Sequence, residues 1–217
     1  MVEIITDGIS PQVIKEFKQY FEDNKHRHFI NFIDDSGNLI DIRCETKLSD
    51  QINSHIEKIV SRHFNINEVD YWSAYQRQEN PHKLHIDELH PEHPSWTIVI
   101  PVISDPRLKV IVFNESFTNN EKWSAFHTKC IKMIKLFPKF SKKNNTSLTE
   151  DLEHTKDNDG IYITDYLNLD TIFEYKLGSY VLFDANQVHV SSNWKKYTEY
   201  SNKELLQIHV IEKTKFL

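Results

Sequence analysis

Short segments in which apolar and polar residues alternate constrain the fold of this chain most. From Glu68 onward such segments are rich in β-branched and aromatic residues and are separated by Pro, Asn and Asp. The clearest of them are "EVDYWSAYQ", "WTIVIPV", "LKVIVF", "TIFEYKL", "GSYVLFDAN" and "ELLQIHVIEK". Many short strands of this kind predict a mainly β fold, a double-sheet jelly roll of the cupin-like type.

Two sequence segments before the strands have the apolar spacing of a helix, and a third such segment lies between the strands. In "ISPQVIKEFKQYFEDNK", Ser10 is a helix cap and Pro11 occupies the first helical position, which the missing N–H of proline favours. A second amphipathic helix is predicted in "LSDQINSHIEKIVSRHF", and a third in "NEKWSAFHTKCIKMIKLFPKF". The polar stretch 141–160 follows the third pattern without any apolar period, so we predict a long surface loop there.

Length and composition favour one compact intracellular unit. We interpret the 217 residues as a single domain, 1–217, with a helical insertion at about 115–170. Cys44 and Cys130 form no CxxC spacing, and the first thirty residues contain no long apolar run, so we expect a cytoplasmic protein without a membrane anchor. A net charge of −6 disfavours nucleic acid as a partner.

The segment "HKLHIDELHPEH" carries the strongest chemical signal. In a strand, His85 and Asp87 lie on the same face with Cα atoms about 6.6 Å apart, close enough to bind one metal ion. His189, flanked by valines in a late strand, is the best candidate for a third ligand. Two histidines and one carboxylate leave coordination positions open, as in non-haem Fe(II) oxygenases.

The remaining histidines of this segment lie among prolines and are predicted to be solvated loop residues. The alternative is a metal site without oxygenase chemistry, namely a zinc-binding or cupin-like module. Its ligands would come from His82, His85, His90 or His93.

Several segments together resemble the Fe(II)- and 2-oxoglutarate-dependent oxygenases, and among them the prolyl-hydroxylase-like members of bacteria and phages. The resemblance is carried by "YWSAYQRQENPHKLHIDEL", "WTIVIPV", "GSYVLFDANQVHVSSNW" and "KELLQIHV". It implies a double-stranded β-helix, Fe(II) bound by His85, Asp87 and His189, and 2-oxoglutarate as cosubstrate.

The resemblance also implies residues for the cosubstrate. Tyr75 occupies the position of a tyrosine that hydrogen-bonds 2-oxoglutarate, and Lys203 that of a basic residue which pairs with its distal carboxylate. The family more often has arginine there with tighter spacing, so Lys195 or Lys196 remain alternatives. The implied reaction is hydroxylation of an aliphatic C–H in a small-molecule or peptide substrate, such as a prolyl or other amino-acid side chain.

Overall fold

Ten strands and three α-helices form the described part of the chain. The computed structural model describes residues 2–24, 29–33, 39–44, 49–87, 89–90, 92–136, 148, 150–156, 161, 163–196 and 202–213. The strands are β1 (Val2–Ile5), β2 (Phe29–Ile33), β3 (Leu39–Cys44), β4 (Val69–Gln78), β5 (Ser95–Pro101), β6 (Asp105–Ser116), β7 (Leu169–Tyr175), β8 (Tyr180–Asp184), β9 (Gln187–Ser191) and β10 (Lys203–Glu212). The helices are α1 (Pro11–Asn24), α2 (Asp50–Val60) and α3 (Asn120–Leu136).

The strands form two antiparallel sheets. The larger sheet has the order β1-β8-β5-β10-β4-β3-β2, and the smaller has the order β7-β6-β9. Buried side chains of both sheets, including Val110, Phe173 and Val181, meet in one apolar cluster and so form the interior between the sheets. The predicted mainly β architecture with two packed sheets is therefore confirmed.

Helices α1 and α2 cover the outer face of the larger sheet. Ile14, Phe17 and Phe21 recur at helical spacing in α1 and are buried against strand residues such as Ile208. At the start of α2 the Ser49 side chain accepts a hydrogen bond from the Ile52 N–H and caps the helix. No helix in the described ranges combines the length and apolar character that crossing a membrane requires.

The described residues of the segment between β6 and β7 pack on the outer face of the smaller sheet. The segment contains α3, as predicted, whose Trp123 is buried there. The prediction of a surface loop over 141–160 is wrong for its described part, because Leu148 and Leu152 are 3% and 2% exposed in the same cluster. Spaced four residues apart, these two leucines present one apolar side to the sheet. The single-domain assignment of residues 1–217, with an insertion at about 115–170, stays a prediction.

Candidate metal centre

Backbone hydrogen bonds bring the three predicted metal ligands together. His85 and Asp87 lie in the segment between β4 and β5, and His189 lies in β9. The His85 N–H donates to the His189 carbonyl at 3.0 Å, and the His189 N–H donates back at 2.9 Å. The Asp87 N–H donates to the carbonyl of Ala185 at 2.9 Å. Residues about a hundred positions apart in sequence thus occupy fixed neighbouring positions in an antiparallel arrangement.

The side chains of these residues converge on one point. Asp87 Oδ1 lies 3.8 Å from His85 Nε2 and 3.7 Å from His189 Nε2. One potential ligand atom from each residue lies within 4.8 Å of the others, in the only such group of His, Cys, Asp and Glu found among the described residues. Neighbouring ligands at right angles around an ion with bonds of about 2.1 Å are about 3 Å apart, so there is space for an ion between these atoms. His82, His90 and His93 do not belong to this group.

Hydrogen bonds determine which nitrogen of each imidazole is free to bind a metal. His85 Nδ1 is 2.6 Å from the Lys83 carbonyl, and His189 Nδ1 is 3.0 Å from the Gln187 carbonyl. A carbonyl oxygen only accepts hydrogen bonds, so both Nδ1 atoms carry the proton. The unprotonated Nε2 atoms therefore face Asp87, and this orientation by a carbonyl is typical of metal-binding histidines.

Asp87 is ionised at neutral pH. Burial raises the pKa of Asp87, but the imidazoles of His189, His209 and His85 lower it, and so does the hydrogen bond from Thr97. The net effect is a pKa of about 2. The Asp87 side chain is only 10% exposed. A nearly buried carboxylate that stays charged beside two imidazole nitrogens is suited to a divalent cation.

A cavity between the sheets extends from these three residues into the interior. Val99, Val110 and Leu205 form apolar parts of its wall, and His82 also lines it. Lys203, 1% exposed, lines the same cavity, with its Nζ 4.8 Å from the centre of the Tyr175 ring.

Two buried polar atoms of the cavity residues have no hydrogen-bond partner in the described part of the chain. They are the hydroxyl of Tyr175 and Oε1 of Gln78, and both residues are buried. Burial raises the pKa of Tyr175 well above its usual range, so its hydroxyl keeps the proton and remains a donor. A buried polar atom without a partner costs free energy, which a bound ligand would recover.

The structure places Tyr75, the tyrosine expected at the cosubstrate, outside this cavity. Tyr75 lies on the face of β4 that packs against the helices, stacked on Phe21 with ring centroids 3.8 Å apart. Its hydroxyl donates to Glu204 Oε2 at 3.2 Å. The neighbouring residue Gln76 lines the cavity instead, because successive side chains of a strand point to opposite faces.

The structure also separates the three candidate lysines. Lys195 Nζ contacts Asn80 Oδ1 at 2.6 Å, and Lys196 Nζ contacts the exposed Glu150 at 2.8 Å. Neither lysine lines the cavity that Lys203 lines. The structure therefore groups Lys203, and not the alternatives, with the three candidate ligands.

Sequence reasoning missed Tyr175 and Thr97. Tyr175 belongs to β7 of the opposite sheet, and no pattern in "TIFEYKL" distinguishes it from a core aromatic. Thr97 could have been found from the sequence, since it is the single hydroxyl residue inside the apolar run "WTIVIPV" next to the histidine segment. A polar residue in such a run needs a partner when it is buried.

Comparison with known structures identifies the fold. The chain is similar to the non-haem α-ketoglutarate-dependent carbocyclase SnoK from nogalamycin biosynthesis, with a TM-score of 0.60, 13% identity, and coverage of 97% of this chain and 79% of that chain. It is also similar to a Pseudomonas putida prolyl-4-hydroxylase, with a TM-score of 0.55, 8% identity, and coverage of 99% and 93%. For HygX from Streptomyces hygroscopicus with nickel and 2-oxoglutarate bound, the TM-score is 0.53, the identity 12%, and the coverage 98% and 83%.

No protein-family model matches the chain, and no curated protein matches it by sequence. The structural similarities nevertheless extend over almost the whole chain. The chain has the fold of the 2-oxoglutarate-dependent oxygenases, a double-stranded β-helix. The predicted resemblance is thus confirmed at the level of the fold.

Proposed function

We propose that this protein is an Fe(II)- and 2-oxoglutarate-dependent dioxygenase that hydroxylates an aliphatic C–H. One observation carries the proposal: His85, Asp87 and His189 converge at the edge of a cavity that also contains the buried Lys203. Two imidazoles and one carboxylate would hold Fe(II) and leave positions open. When bound, Fe(II) together with 2-oxoglutarate and O2 would supply an oxidant that can break an unactivated C–H bond.

Lys203 and Tyr175 would hold the distal carboxylate of 2-oxoglutarate. Lys203 is 1% exposed, and a carboxylate at hydrogen-bond distance would give its ammonium a charge-assisted contact inside the cavity. The Tyr175 hydroxyl, protonated and without a partner among the described residues, is a donor that a carboxylate would satisfy. We therefore assign the tyrosine role to Tyr175 in place of Tyr75.

The protein's own contribution is orientation and exclusion of water. Fixed imidazole tautomers and the ionised Asp87 keep the metal ligands ready without rearrangement. Val99, Val110 and Leu205 line the cavity with apolar surface, which disfavours competing water. The carboxylate at position 87 supports hydroxylation over halogenation, because it fills the position that a halide would need.

We expect the substrate to be a small molecule or a peptide. HygX is known with hygromycin B bound, and a Trichoplax adhaerens prolyl hydroxylase is known in complex with a peptide fragment, so proteins with this fold bind ligands of both classes. The net charge of −6 disfavours a nucleic acid, and we propose a cytoplasmic location from the two widely spaced cysteines.

The test is an anaerobic titration of the purified protein with Fe(II) and 2-oxoglutarate. We expect a visible metal-to-ligand charge-transfer band and, after air is admitted, release of succinate. His85→Ala and His189→Ala should each abolish the band. His90→Ala is the matched control, because His90 contacts the N–H of Glu92 and lies outside the ligand group.

Two results would overturn this proposal. One is the absence of the band in protein that binds Fe(II). The other is tight binding of zinc without succinate release, which would favour the non-oxygenase metal module. Screening turnover across peptides and metabolites then identifies the substrate class, because a substrate increases succinate release.

A further inference from the structure

We propose that Thr97 is a positioning residue that makes Asp87 bind the metal through one oxygen only. The inference rests on the proposed function and deepens it. Binding through one oxygen would keep three coordination positions of the metal open. The two carboxylate oxygens of Asp87 have different surroundings, as described next.

The two oxygens of Asp87 face different partners. Oδ1 points to the Nε2 atoms of His85 and His189, at 3.8 and 3.7 Å. Oδ2 accepts a hydrogen bond from Thr97 Oγ1 at 2.5 Å and is 3.5 Å from Gln207 Nε2. The Thr97 contact is short, as expected for a hydroxyl that donates to a carboxylate. Oδ2 is thus held away from the point on which the imidazoles converge.

The Thr97 hydroxyl is itself fixed in direction. Thr97 on β5 pairs directly with His209 on β10, and His209 Nδ1 lies 3.3 Å from Thr97 Oγ1. A hydroxyl has one proton, and a carboxylate can only accept, so the proton of Thr97 goes to Asp87 and His209 Nδ1 donates to Thr97. This series of hydrogen bonds runs toward the metal ligand in one direction.

Gln207 has a supporting role. Its Oε1 accepts a hydrogen bond from Gln76 Nε2, which leaves the Gln207 amide nitrogen facing Asp87. At 3.5 Å this second contact is weaker than that of Thr97. Thr97 is therefore the residue whose removal frees Oδ2.

The consequence concerns coordination number. A carboxylate bound through one oxygen occupies one position, whereas a carboxylate bound through both occupies two. Held by two imidazoles and one carboxylate oxygen, a six-coordinate ion would keep three positions for the cosubstrate and O2. Without the Thr97 hydrogen bond, Oδ2 would compete with the cosubstrate for one of them.

The experiment compares Thr97→Val with Thr97→Ser. Valine keeps the branched shape and removes the hydroxyl, whereas serine keeps the hydroxyl. Co(II) alone is the first probe, because its visible d–d spectrum reports coordination number without cosubstrate. The second probe is the charge-transfer titration with Fe(II) and 2-oxoglutarate. Ser95→Ala is the matched control, since it removes another buried hydroxyl from the same strand that has no hydrogen-bond partner in the described part.

We expect Thr97→Val to bind Co(II) with a changed d–d spectrum and to bind 2-oxoglutarate roughly tenfold more weakly, in the range usual for residues that orient metal ligands. Thr97→Ser should restore both readouts, and Ser95→Ala should match the unaltered protein. A Thr97→Val spectrum and affinity identical to those of the unaltered protein would overturn the proposal, and so would failure of serine to restore them.

The two proposals fail in different ways. If the unaltered protein shows no charge-transfer band but the Co(II) spectrum changes in Thr97→Val and recovers in Thr97→Ser, the oxygenase assignment is wrong and the role of Thr97 stands. If the band forms normally in all variants and the Co(II) spectra coincide, the oxygenase assignment stands and the role of Thr97 is refuted.

Discussion

The two faces of strand β10 carry opposite kinds of side chain. On the face toward the helices, Leu206, Ile208 and Val210 are buried in the apolar cluster with α1 and α2. On the face toward the cavity lie Lys203, Leu205, Gln207 and His209, three of them polar and all 8% exposed or less. One strand therefore serves the stability of the fold on one side and the site on the other.

Two adjacent charged residues of β10 illustrate the difference. Glu204, on the helix side, accepts hydrogen bonds from Arg77 at 2.7 and 3.0 Å and from the Tyr75 hydroxyl at 3.2 Å. Its charge is satisfied entirely within the protein. Lys203 points into the cavity beside Tyr175, whose hydroxyl has no partner in the described part. The network around Glu204 stabilises the fold, whereas the buried hydroxyl of Tyr175, a donor that has no partner among the described residues, indicates a ligand.

The largest expected effect is a loss of stability when a residue on the helix-facing side of β10 is changed. Ile208→Ala should lower the free energy of unfolding by about 2–5 kcal/mol, because Ile208 is 0% exposed and its removal leaves a cavity. Chemical denaturation measures the change. The affinity of the remaining folded protein for 2-oxoglutarate should stay within about twofold of the original. A large loss of affinity would show that the two faces are not independent.

The second-largest expected effect is a loss of 2-oxoglutarate affinity when a residue on the cavity-facing side of β10 is changed. Lys203→Met should weaken 2-oxoglutarate binding by about 100-fold, since the distal carboxylate loses its charged partner. Methionine keeps the apolar length of the lysine side chain, so the variant should still fold. Denaturation and the charge-transfer titration are run on the same preparation. A destabilised variant with unchanged affinity would assign Lys203 to the structural network.

A smaller effect is expected in the closed network. Arg77→Met should cost roughly 2 kcal/mol of stability, below the 3–5 kcal/mol of a fully buried pair, because Arg77 is 22% exposed by its side chain. It leaves the Glu204 carboxylate, 8% exposed, without its strongest partner. The affinity for 2-oxoglutarate should not change. The matched variant is Lys195→Met, whose exposed contact with Asn80 should contribute almost nothing.

The smallest effect separates the two tyrosines. Tyr175→Phe should weaken 2-oxoglutarate binding about tenfold without destabilising the protein, because its hydroxyl has no partner to lose in the described part. Tyr75→Phe should leave the affinity unchanged and lower the free energy of unfolding by about 1 kcal/mol, through the lost hydrogen bond to Glu204. The opposite pattern would restore Tyr75 to the cosubstrate role.

The metal ligands could be predicted from sequence because their signal is local. The alternation of side chains in a strand places His85 and Asp87 on one face. In the structure an isolated antiparallel β-bridge between His85 and His189 adds the third residue. The helices could also be predicted from the sequence, since Ser49 caps α2 and its apolar residues recur every three or four positions. The packing of Leu148 and Leu152 was missed because two leucines in a polar stretch give no period.

The cosubstrate residues could not be predicted fully, because strand β4 is covered on both faces. Tyr75 and Gln76 are 3% and 1% exposed, so neither looks like a surface residue, and the alternation does not say which face the cavity takes. A shift of one residue in this assignment exchanges the cavity face of β4 for its helix face. Tyr175 could not be found at all, since its role depends on the contact between opposite sheets.

The strand-rich architecture, the flanking helices and the pairing of His85 with Asp87 can be read from the amino-acid sequence, because periodicity and short spacing are local properties of a chain. The folded structure was needed to show that Lys203 and Tyr175 share a cavity, that Tyr75 belongs to the helix side, and that Thr97 donates a hydrogen bond to one oxygen of Asp87. These contacts are not local, because the direction of a side chain relative to a closed pair of sheets depends on the register of strands that are distant in sequence.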